Sequence, residues 1–470
     1  MEARNLNFIL TACDGELWQG SPATNVTGVS IDSRQARPGE LFVAIPGERF
    51  DGHHFLEAAA NRGVAAVLIE RARRPERLPQ CAVISVVNTR RALGSLAAAY
   101  RQQLTPETIA VAGSNGKTTT KELIAAVLRQ KLTTLSSEAS FNNDIGVPLT
   151  LLRLDPSHQA AVLEAGTNHP GELAPLVKMI QPRHGVITNI GREHLEFFGD
   201  LAGVADEEGW LAELLPSDGR LFLNGDDFWS DQLARRARAA VVRVGFQPGN
   251  DWRVRRVRLD KQGATFSVNA PRVAYDGDYR INLLGRHQVA NALFALALGA
   301  ELGLDRAQIQ RGLAECQPAK MRLQLWEIGG VRILDDTYNA NADSMIAALR
   351  VLKSLPCKGR RVAVLGDMAE LGDHSEAAHA EVGRHAAELG IGQLFAVGQH
   401  AATLARGARE AGLARVIEMA DVETAAAAVK TFAKPGDLIL LKASRATRLE
   451  RIGTVLRGNG NGKQLECSTT

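Results

Sequence analysis

The run from Gly113 to Thr118 combines the residue types that hold a nucleotide phosphate. Its pattern is Gly-Ser-Asn-Gly-Lys-Thr. Glycines let the backbone approach a phosphate closely, and backbone N–H groups at the start of a following helix favour an anion. The Lys117 ammonium adds a positive charge, and the Thr118 hydroxyl is a suitable ligand for Mg²⁺. The run therefore predicts a phosphate-binding loop, and the alternative is a glycine-rich turn with a chance Lys-Thr pair.

The segments on either side of this run have the patterns of a strand and a helix. Residues 108–112 are mostly apolar and include β-branched residues, and residues 119–130 carry apolar residues at helical spacing. A strand, a glycine-rich turn and a helix in this order form the context in which such a motif binds phosphate. Val111 stands where the common loop has its first glycine, so this loop is of the shorter G-x-x-G-K-T form.

Two polar residues follow other predicted strands. Glu164 ends a strand at residues 160–164, and His194 comes shortly after a strand at residues 186–189. Strand ends of open α/β sheets face the crevice where ligands bind. Glu164 is therefore predicted to bind Mg²⁺, and His194 to be a second metal ligand or a proton carrier. A surface acid in a turn and a structural histidine are the simpler alternatives.

Two further groups lie in predicted helices. Asp206–Glu208 is predicted at the start of a helix, where the helix dipole favours acids without any catalytic role. His287 and Asn291 are four residues apart, so they share a helix face. This pair suggests recognition of a base or a sugar, and a buried structural pair explains the pattern nearly as well.

The composition limits the classes of function. The chain has 470 residues, of which 45% are hydrophobic and 23% charged, and its formal net charge is +3. Such a small charge gives no reason to propose a nucleic acid or a membrane as partner. Five scattered cysteines suit a reducing cytoplasm, without a disulfide framework or a zinc site. The length suggests about three domains.

The order of the predicted strands and helices indicates an α/β protein that consists of three domains. Strands and helices alternate in a small unit at residues 1–88, a mostly parallel unit at residues 89–317 and a doubly wound unit at residues 318–457. Residues 250–283 interrupt the second unit with an expected antiparallel meander. Residues 458–470 are predicted to be a disordered tail.

Several motifs occur in an order and spacing that resemble the ATP-dependent Mur ligases of peptidoglycan synthesis. They are Gly113-x-x-Gly-Lys-Thr, Glu164-Ala-Gly, Asn189-x-x-x-x-His194, His287 with Asn291, Arg322, Asp335–Met345 and Lys442-x-Ser-Arg445. The resemblance covers nearly the whole chain outside the tail. Within the family, Phe141–Pro148, Asp336–Met345 and Gly366–Gly372 are similar to the members that add D-alanyl-D-alanine. The Asp-Asn-Pro-Arg-type motif expected of the diamino-acid-adding members is not found.

The resemblance implies an N-terminal UDP-sugar-binding domain, a central P-loop ATP-binding domain and a C-terminal Rossmann-like domain. It implies a cytoplasmic, monomeric enzyme that uses ATP and Mg²⁺ and joins D-alanyl-D-alanine to UDP-MurNAc-tripeptide through an acyl phosphate. The alternatives are a sibling ligase that adds a diamino acid, a folylpolyglutamate-type ligase, or a nucleotide switch that hydrolyses ATP without an amine acceptor.

The resemblance also implies residue roles. Lys117 steadies the β- and γ-phosphates, Thr118 and Glu164 hold one Mg²⁺, and Glu164 and His194 approach a second. The expected nucleotide contacts are Gly113, Ser114, Asn115, Gly116, Lys117, Thr118, Thr119, His287, Asn291, Arg322 and Asp336. The expected substrate contacts are Ser30, Ser33 and Arg34 for the UDP-sugar, and Asn339, Asn341 and Ser444 for the dipeptide.

One position departs from the family pattern. Members of the family carry a lysine, carbamylated by CO₂, that helps to hold the second Mg²⁺. The stretch 205–209 has no lysine, and Glu208 stands in its place. A carbamate is a carboxylate on a longer stem, so Glu208 is hypothesised to be a catalytic metal ligand that supplies this anion directly. Activity should then be insensitive to bicarbonate.

Overall fold

A computed structural model describes residues 1–47, 50–458 and 463–464. Within these residues the chain forms sheets of five, nine and seven strands and a separate two-stranded ribbon. Each large sheet is covered by helices and is formed by one continuous part of the chain. This arrangement confirms the predicted α/β class with three units. In the same residues, no helix has the length and hydropathy needed to cross a lipid bilayer.

The N-terminal unit is built on the five-stranded sheet, in the order β2-β7-β6-β5-β4, with β2 antiparallel to β7 and the other pairs parallel. Its elements are β1 (Arg4–Asn5), α1 (Leu6–Cys13), β2 (Glu16–Gln19), β3 (Asn25–Val26), β4 (Val29–Ser30), β5 (Leu41–Val43), α2 (Leu56–Asn61), β6 (Ala66–Glu70) and β7 (Ala82–Val86). Helix α3 (Thr89–Arg101) leads from it into the central unit.

The central unit contains the nine-stranded sheet, in the order β16-β15-β14-β13-β12-β11-β8-β10-β9. Its elements are β8 (Glu107–Ala112), α4 (Lys117–Leu128), β9 (Thr134–Ser136), α5 (Gly146–Leu151), β10 (Ala160–Glu164), α6 (Leu173–Ile180), β11 (His184–Ile187), α7 (Leu195–Phe198), α8 (Leu201–Leu214), β12 (Arg220–Asn224), α9 (Ser230–Arg236), β13 (Ala240–Gly245), β14 (Trp252–Asp260), β15 (Gly263–Asn269), β16 (Gly277–Ile281), α10 (Arg286–Glu301) and α11 (Arg306–Glu315).

The strand order of the central sheet places the phosphate-binding loop between two other strand ends. Strand β8 lies between β10 and β11 and is parallel to both. Its side chains Ile109 and Val111 are fully buried, as expected for an interior strand of a parallel sheet. The predicted antiparallel meander corresponds to β14–β16.

One helix boundary in this unit differs from the prediction. Helix α8 begins at Leu201, and the Asp200 side chain caps it by accepting a hydrogen bond from the Gly203 N–H at 3.0 Å. The segment Asp206–Glu208 therefore lies inside the helix rather than at its start. The prediction was wrong because a second acidic residue, Asp200, occupies the capping position upstream. Glu207 and Glu208 are buried, so they are not surface acids.

The C-terminal unit contains the seven-stranded sheet, in the order β21-β20-β19-β22-β18-β17-β23. Its elements are β17 (Gln324–Ile328), β18 (Val331–Asp335), α12 (Ala342–Ser354), β19 (Arg361–Gly366), α13 (Ser375–Glu388), β20 (Gln393–Val397), α14 (Ala401–Glu410), β21 (Val416–Met419), α15 (Val422–Phe432), β22 (Leu438–Lys442), α16 (Glu450–Arg457) and β23 (Lys463–Gln464).

Strand β22 lies between β18 and β19 and is parallel to both, so Lys442 at its end lies close to the end of β18. Of the tail predicted to be disordered, Gly458 and β23 are described, and β23 pairs with β17. The other residues of that tail lie outside the described part of the chain.

Candidate active site

The loop between β8 and α4 needs glycine at two positions. Gly113 and Gly116 have φ angles of +104° and +87°, which side chains rarely adopt. A Cβ atom on Gly116 would lie 2.7 Å from the Asn291 Oδ1 atom, and one on Gly113 would lie 2.5 Å from the Thr188 Oγ1 atom. Both the backbone conformation and the close neighbours therefore explain the glycines of the motif.

Thr118 and Glu164 meet at the start of helix α4. The Thr118 hydroxyl donates a hydrogen bond to Glu164 Oε2 at 2.8 Å, and the Asn142 amide donates one to Glu164 Oε1 at 2.8 Å. Both Thr118 and Glu164 are buried residues, and both line the same cavity. A hydroxyl and a carboxylate at this distance are the oxygen ligands that Mg²⁺ prefers, so these residues fit the ion predicted from the sequence.

Lys117 folds back on its own loop. Its Nζ atom donates hydrogen bonds to the carbonyl oxygens of Gly113 at 2.6 Å and Ser114 at 3.1 Å, and it lies 3.3 Å from Glu193 Oε2. Burial acts to lower the pKa of Lys117, but the neighbouring carboxylates, chiefly Glu193 and Glu208, outweigh it and raise that pKa. The lysine is therefore positively charged in the absence of a phosphate. Glu193 is not a defining residue of any recognised motif of the sequence, and only its position immediately before His194 could have indicated a role in the site.

The loop and the C-terminal domain enclose a shared cavity of about 560 Å³. The central domain contributes the phosphate loop and the ends of β10 and β11, and the C-terminal domain contributes the segment before β17 and the segments after β18 and β19. The predicted site residues that line this cavity are Ser114, Asn115, Gly116, Lys117, Thr118, Thr119, Glu164, His194, His287, Asn291, Arg322, Asp336, Asn339 and Asn341. Residues that are 226 positions apart meet here, since the Asn341 amide donates a hydrogen bond to Asn115 Oδ1 at 3.0 Å.

The remaining predicted site residues do not line the cavity. Gly113 lies behind its wall, and Ser444 is buried in the C-terminal domain, where its N–H donates to the Asp367 carbonyl at 2.9 Å. Ser30, Ser33 and Arg34 lie together in the N-terminal domain at the end of β4. The structure thus separates the residues predicted for the UDP-sugar from those predicted for the nucleotide.

Glu208 is placed behind the phosphate loop rather than in the cavity wall. Its Oε2 atom accepts a hydrogen bond from the Gly113 N–H at 2.7 Å, and its side chain is fully buried. Its Oε1 atom has no hydrogen-bond partner among the described residues. Burial raises the pKa of Glu208 to about 8, against the opposing charge of Lys117. With this pKa the group is largely protonated near pH 7, and a cation bound beside this Oε1 atom would favour its ionised form.

Two side chains that follow β11 bind the C-terminal domain. Arg192 donates hydrogen bonds to Asp343 Oδ1 at 2.7 and 3.0 Å and to Glu381 Oε2 at 2.5 Å. His194, which was predicted to be a metal ligand or proton carrier, forms a short hydrogen bond through Nδ1 with Glu370. Sequence spacing could not reveal these partners, because the pairs are 151 or more positions apart.

Two α/β domains that enclose a phosphate loop and a set of acids and amides define a nucleotide-binding protein with its site between domains. Comparisons with family models match three consecutive segments. They are the Mur ligase family catalytic domain at residues 25–101, the Mur ligase middle domain at 111–299 and the Mur ligase glutamate ligase domain at 321–445.

Individual relatives agree with these models. The chain is 39% identical to the UDP-N-acetylmuramoyl-tripeptide–D-alanyl-D-alanine ligase of Escherichia coli K12, over 97% of this chain and 98% of the relative. The structure of MurF from Acinetobacter baumannii has a TM-score of 0.88 and 32% identity, and covers 97% of this chain and 99% of its own. MurF from Thermotoga maritima in complex with ADP has a TM-score of 0.78 and 26% identity, with coverage of 91% and 96%. The chain belongs to the Mur ligase family.

Proposed function

We propose that this protein joins D-alanyl-D-alanine to the terminal carboxylate of UDP-MurNAc-tripeptide and converts ATP to ADP and phosphate. The observation that carries this proposal is the single cavity in which Lys117 and Glu164 face Asn339 and Asn341 of the C-terminal domain. The relative from Escherichia coli is named for this activity and matches nearly the whole chain. We propose that the enzyme is monomeric and acts in the cytoplasm, where ATP is supplied.

The chemistry consists of two transfers. The substrate carboxylate attacks the γ-phosphorus of ATP. The bond between the γ-phosphorus and the bridging oxygen breaks, ADP leaves with that oxygen, and an acyl phosphate forms. The amine of the dipeptide then attacks the acyl carbon, loses a proton and forms a tetrahedral intermediate, from which phosphate leaves. Lys117 stabilises the negative charge on the β- and γ-phosphates, and Arg322 is available to do the same from the C-terminal domain.

Mg²⁺, when bound, neutralises charge on the phosphate oxygens. We assign Thr118 and Glu164 to one ion, and Glu164, His194 and Glu208 to a second. Two observations support this set: the 2.8 Å separation of the Thr118 and Glu164 oxygens, and the unpaired Glu208 oxygen. In the nucleotide-binding role we include Ser114 to Thr119, His287, Asn291, Arg322 and Asp336, all of which line the cavity. Gly113 belongs to the same loop.

The other substrates use different parts of the chain. We assign Ser30, Ser33 and Arg34 to the UDP-sugar, because they lie together in a loop of the N-terminal domain. Asn339 and Asn341 line the cavity from the C-terminal domain, where Asn341 contacts Asn115 of the phosphate loop, and they suit the dipeptide. Ser444 lies two residues beyond Lys442, at the same sheet edge.

Phosphate release across a set of acceptor amines tests the proposal. With ATP, Mg²⁺ and UDP-MurNAc-tripeptide, release should depend on D-alanyl-D-alanine and be negligible with diaminopimelate, L-lysine or L-glutamate. A Lys117→Ala variant should abolish it. Release driven by a single amino acid would identify a sibling ligase, and release without any acceptor would identify a nucleotide switch; either result would reject the proposal.

The role of Glu208 has a separate test. Because its carboxylate replaces the carbamate, the wild-type rate should be the same with and without bicarbonate. Glu208→Ala should lose most of the activity and regain part of it with formate or acetate, whereas Asp206→Ala, an exposed change on the same helix, should retain the wild-type rate. Unchanged activity of Glu208→Ala would remove the assigned role.

A further inference from the structure

The linker into the C-terminal domain has an unusual backbone. Met321 and Leu323 have φ angles of +59° and +50°, on either side of Arg322. The left-handed region is unfavourable for residues with a Cβ atom, so surrounding contacts must hold such residues there. These contacts therefore decide where the Arg322 side chain points.

A chain of polar contacts holds this linker in place. The Leu323 N–H donates a hydrogen bond to Asp336 Oδ1 at 3.1 Å, and Asp336 Oδ2 pairs with Lys442 Nζ at 2.7 Å. The same ammonium group donates to the Asn339 carbonyl at 2.9 Å. Asp336 thus connects the linker to Lys442, which lies at the end of the interior strand β22.

Arg322 is directed toward the phosphate loop by this arrangement. Its guanidinium carbon lies 4.0 Å from the centroid of the Tyr338 ring, and its Nη2 atom lies 3.5 Å from Thr118 Oγ1. The Tyr338 N–H in turn donates to the Met321 carbonyl at 3.2 Å. Arg322 forms no ion pair with a carboxylate of the described residues, so its charge is available to an anionic ligand.

Burial of the Lys442 ammonium group at this position costs desolvation free energy. Its side chain is 3% exposed, and burial lowers its pKa while the paired Asp336 acts in the opposite direction. A buried ion pair adds little net stability over apolar residues of similar volume, because desolvation offsets the attraction. A role in the site, rather than in folding, accounts for a lysine at this position.

We propose that Lys442 is a positioning residue that acts through Asp336 and the left-handed linker to hold Arg322 against the nucleotide phosphates. The inference rests on the proposed nucleotide site and adds a residue that does not itself touch the phosphates. Lys442 neutralises Asp336, so that this carboxylate anchors the Leu323 N–H without repelling the anionic ligand.

A double-mutant cycle on nucleotide affinity tests the proposal. Binding of adenylyl imidodiphosphate with Mg²⁺ is measured by calorimetry for wild type, Lys442→Met, Arg322→Ala and the double variant. Lys442→Met and Arg322→Ala should each weaken binding about tenfold, and the double variant should be no more than about twofold weaker than Arg322→Ala. Losses that multiply to about a hundredfold would mean that Lys442 acts independently of Arg322 and would overturn the proposal.

Matched variants separate positioning from general damage. Lys430→Met removes an exposed lysine from α15 of the same domain and should leave binding unchanged. Lys442→Arg keeps the cation and should recover at least half of the lost binding free energy; no recovery in a folded variant would count against the proposal. If Lys442→Met lacks a cooperative thermal transition, the cycle is performed with Lys442→Gln.

Failure of this inference and failure of the proposed function are distinguishable. Binding is measured without UDP-substrate or dipeptide, so the cycle stands even if another amine proves to be the acceptor. If wild type binds the nucleotide and ligates D-alanyl-D-alanine but the cycle is additive, only the role of Lys442 is rejected. In variants that support the inference, KM for ATP should rise while KM for the dipeptide stays within about twofold.

Discussion

His287 illustrates how burial sets the charge state of a single side chain in the site. It lies in the first turn of α10 and lines the cavity opposite the C-terminal domain. Burial lowers its pKa to about 4, although Asp336 acts to raise it. The imidazole is therefore neutral near pH 7, and in the proposed nucleotide-binding role it would act as a hydrogen-bonding group rather than as a cation.

The shifted pKa predicts a loss of stability in acid. The folded pKa of His287 lies below the unfolded value of about 6.5, so the unfolded chain binds a proton first as the pH falls. The contribution of the neutral, buried His287 side chain to the free energy of unfolding is fully present above about pH 6.5. It is lost as the pH falls toward 4. In thermal melts, the Tm of wild type should fall more steeply than that of His287→Gln between pH 7 and pH 4.5. Parallel curves for the two proteins would contradict the assigned shift.

At the scale of elements, the sequence predicts those strands, turns and helices whose signals lie within a few neighbouring residues. The strand, glycine turn and helix around the phosphate loop were found because their apolar periodicity and glycines are local signals. The short strands β9 and β17 are not predicted, since three to five residues of mixed polarity carry a weak pattern. The capping of α8 by Asp200 was overlooked in favour of the acids at 206–208.

Most features of the site that the sequence does not predict are contacts between residues far apart in the chain. The residues of the cavity wall were nominated by type and position at strand ends, whereas their pairings were not. Glu208 with the Gly113 N–H, and Lys442 with Asp336, join segments about a hundred residues apart. Spacing within one segment carries no information about such contacts, because the fold alone brings them together.

The backbone conformation of the phosphate loop predicts that substitution of Gly116 lowers both stability and activity. In Gly116→Ala, the backbone at φ +87° is strained and the new Cβ meets Asn291 at 2.7 Å. Strain alone costs about 1–2 kcal/mol, and displacement of the loop should lower kcat/KM for ATP at least about tenfold. Gly412→Ala is the matched control, because Gly412 has φ +93° and no atom within 4 Å of its Cβ position. It should lose similar stability and keep its activity; equal activity of both variants would contradict the argument.

At the scale of the whole molecule, polar contacts connect the central and C-terminal domains. Arg192 bridges two acidic residues on different helices, Asp343 on α12 and Glu381 on α13. The His374 ring is 3.0 Å from the Gly199 carbonyl nearby. Three domains joined by short connections, with the site at their junction, predict closure on substrate. The Arg192 contacts cross the boundary between these two domains, so that their separation would break them.

Removal of these contacts should therefore shift the protein toward an open form. In solution scattering without ligands, Arg192→Met should have a larger radius of gyration than wild type, since the charge-assisted contacts of the guanidinium with Asp343 and Glu381 are lost. Nucleotide with UDP-substrate should restore the compact profile, because ligands that bind both domains favour closure. Arg451→Met is the control, since Arg451 pairs with Glu423 within the C-terminal domain. Identical profiles of wild type and Arg192→Met, with and without ligands, would show that the bridge does not govern closure.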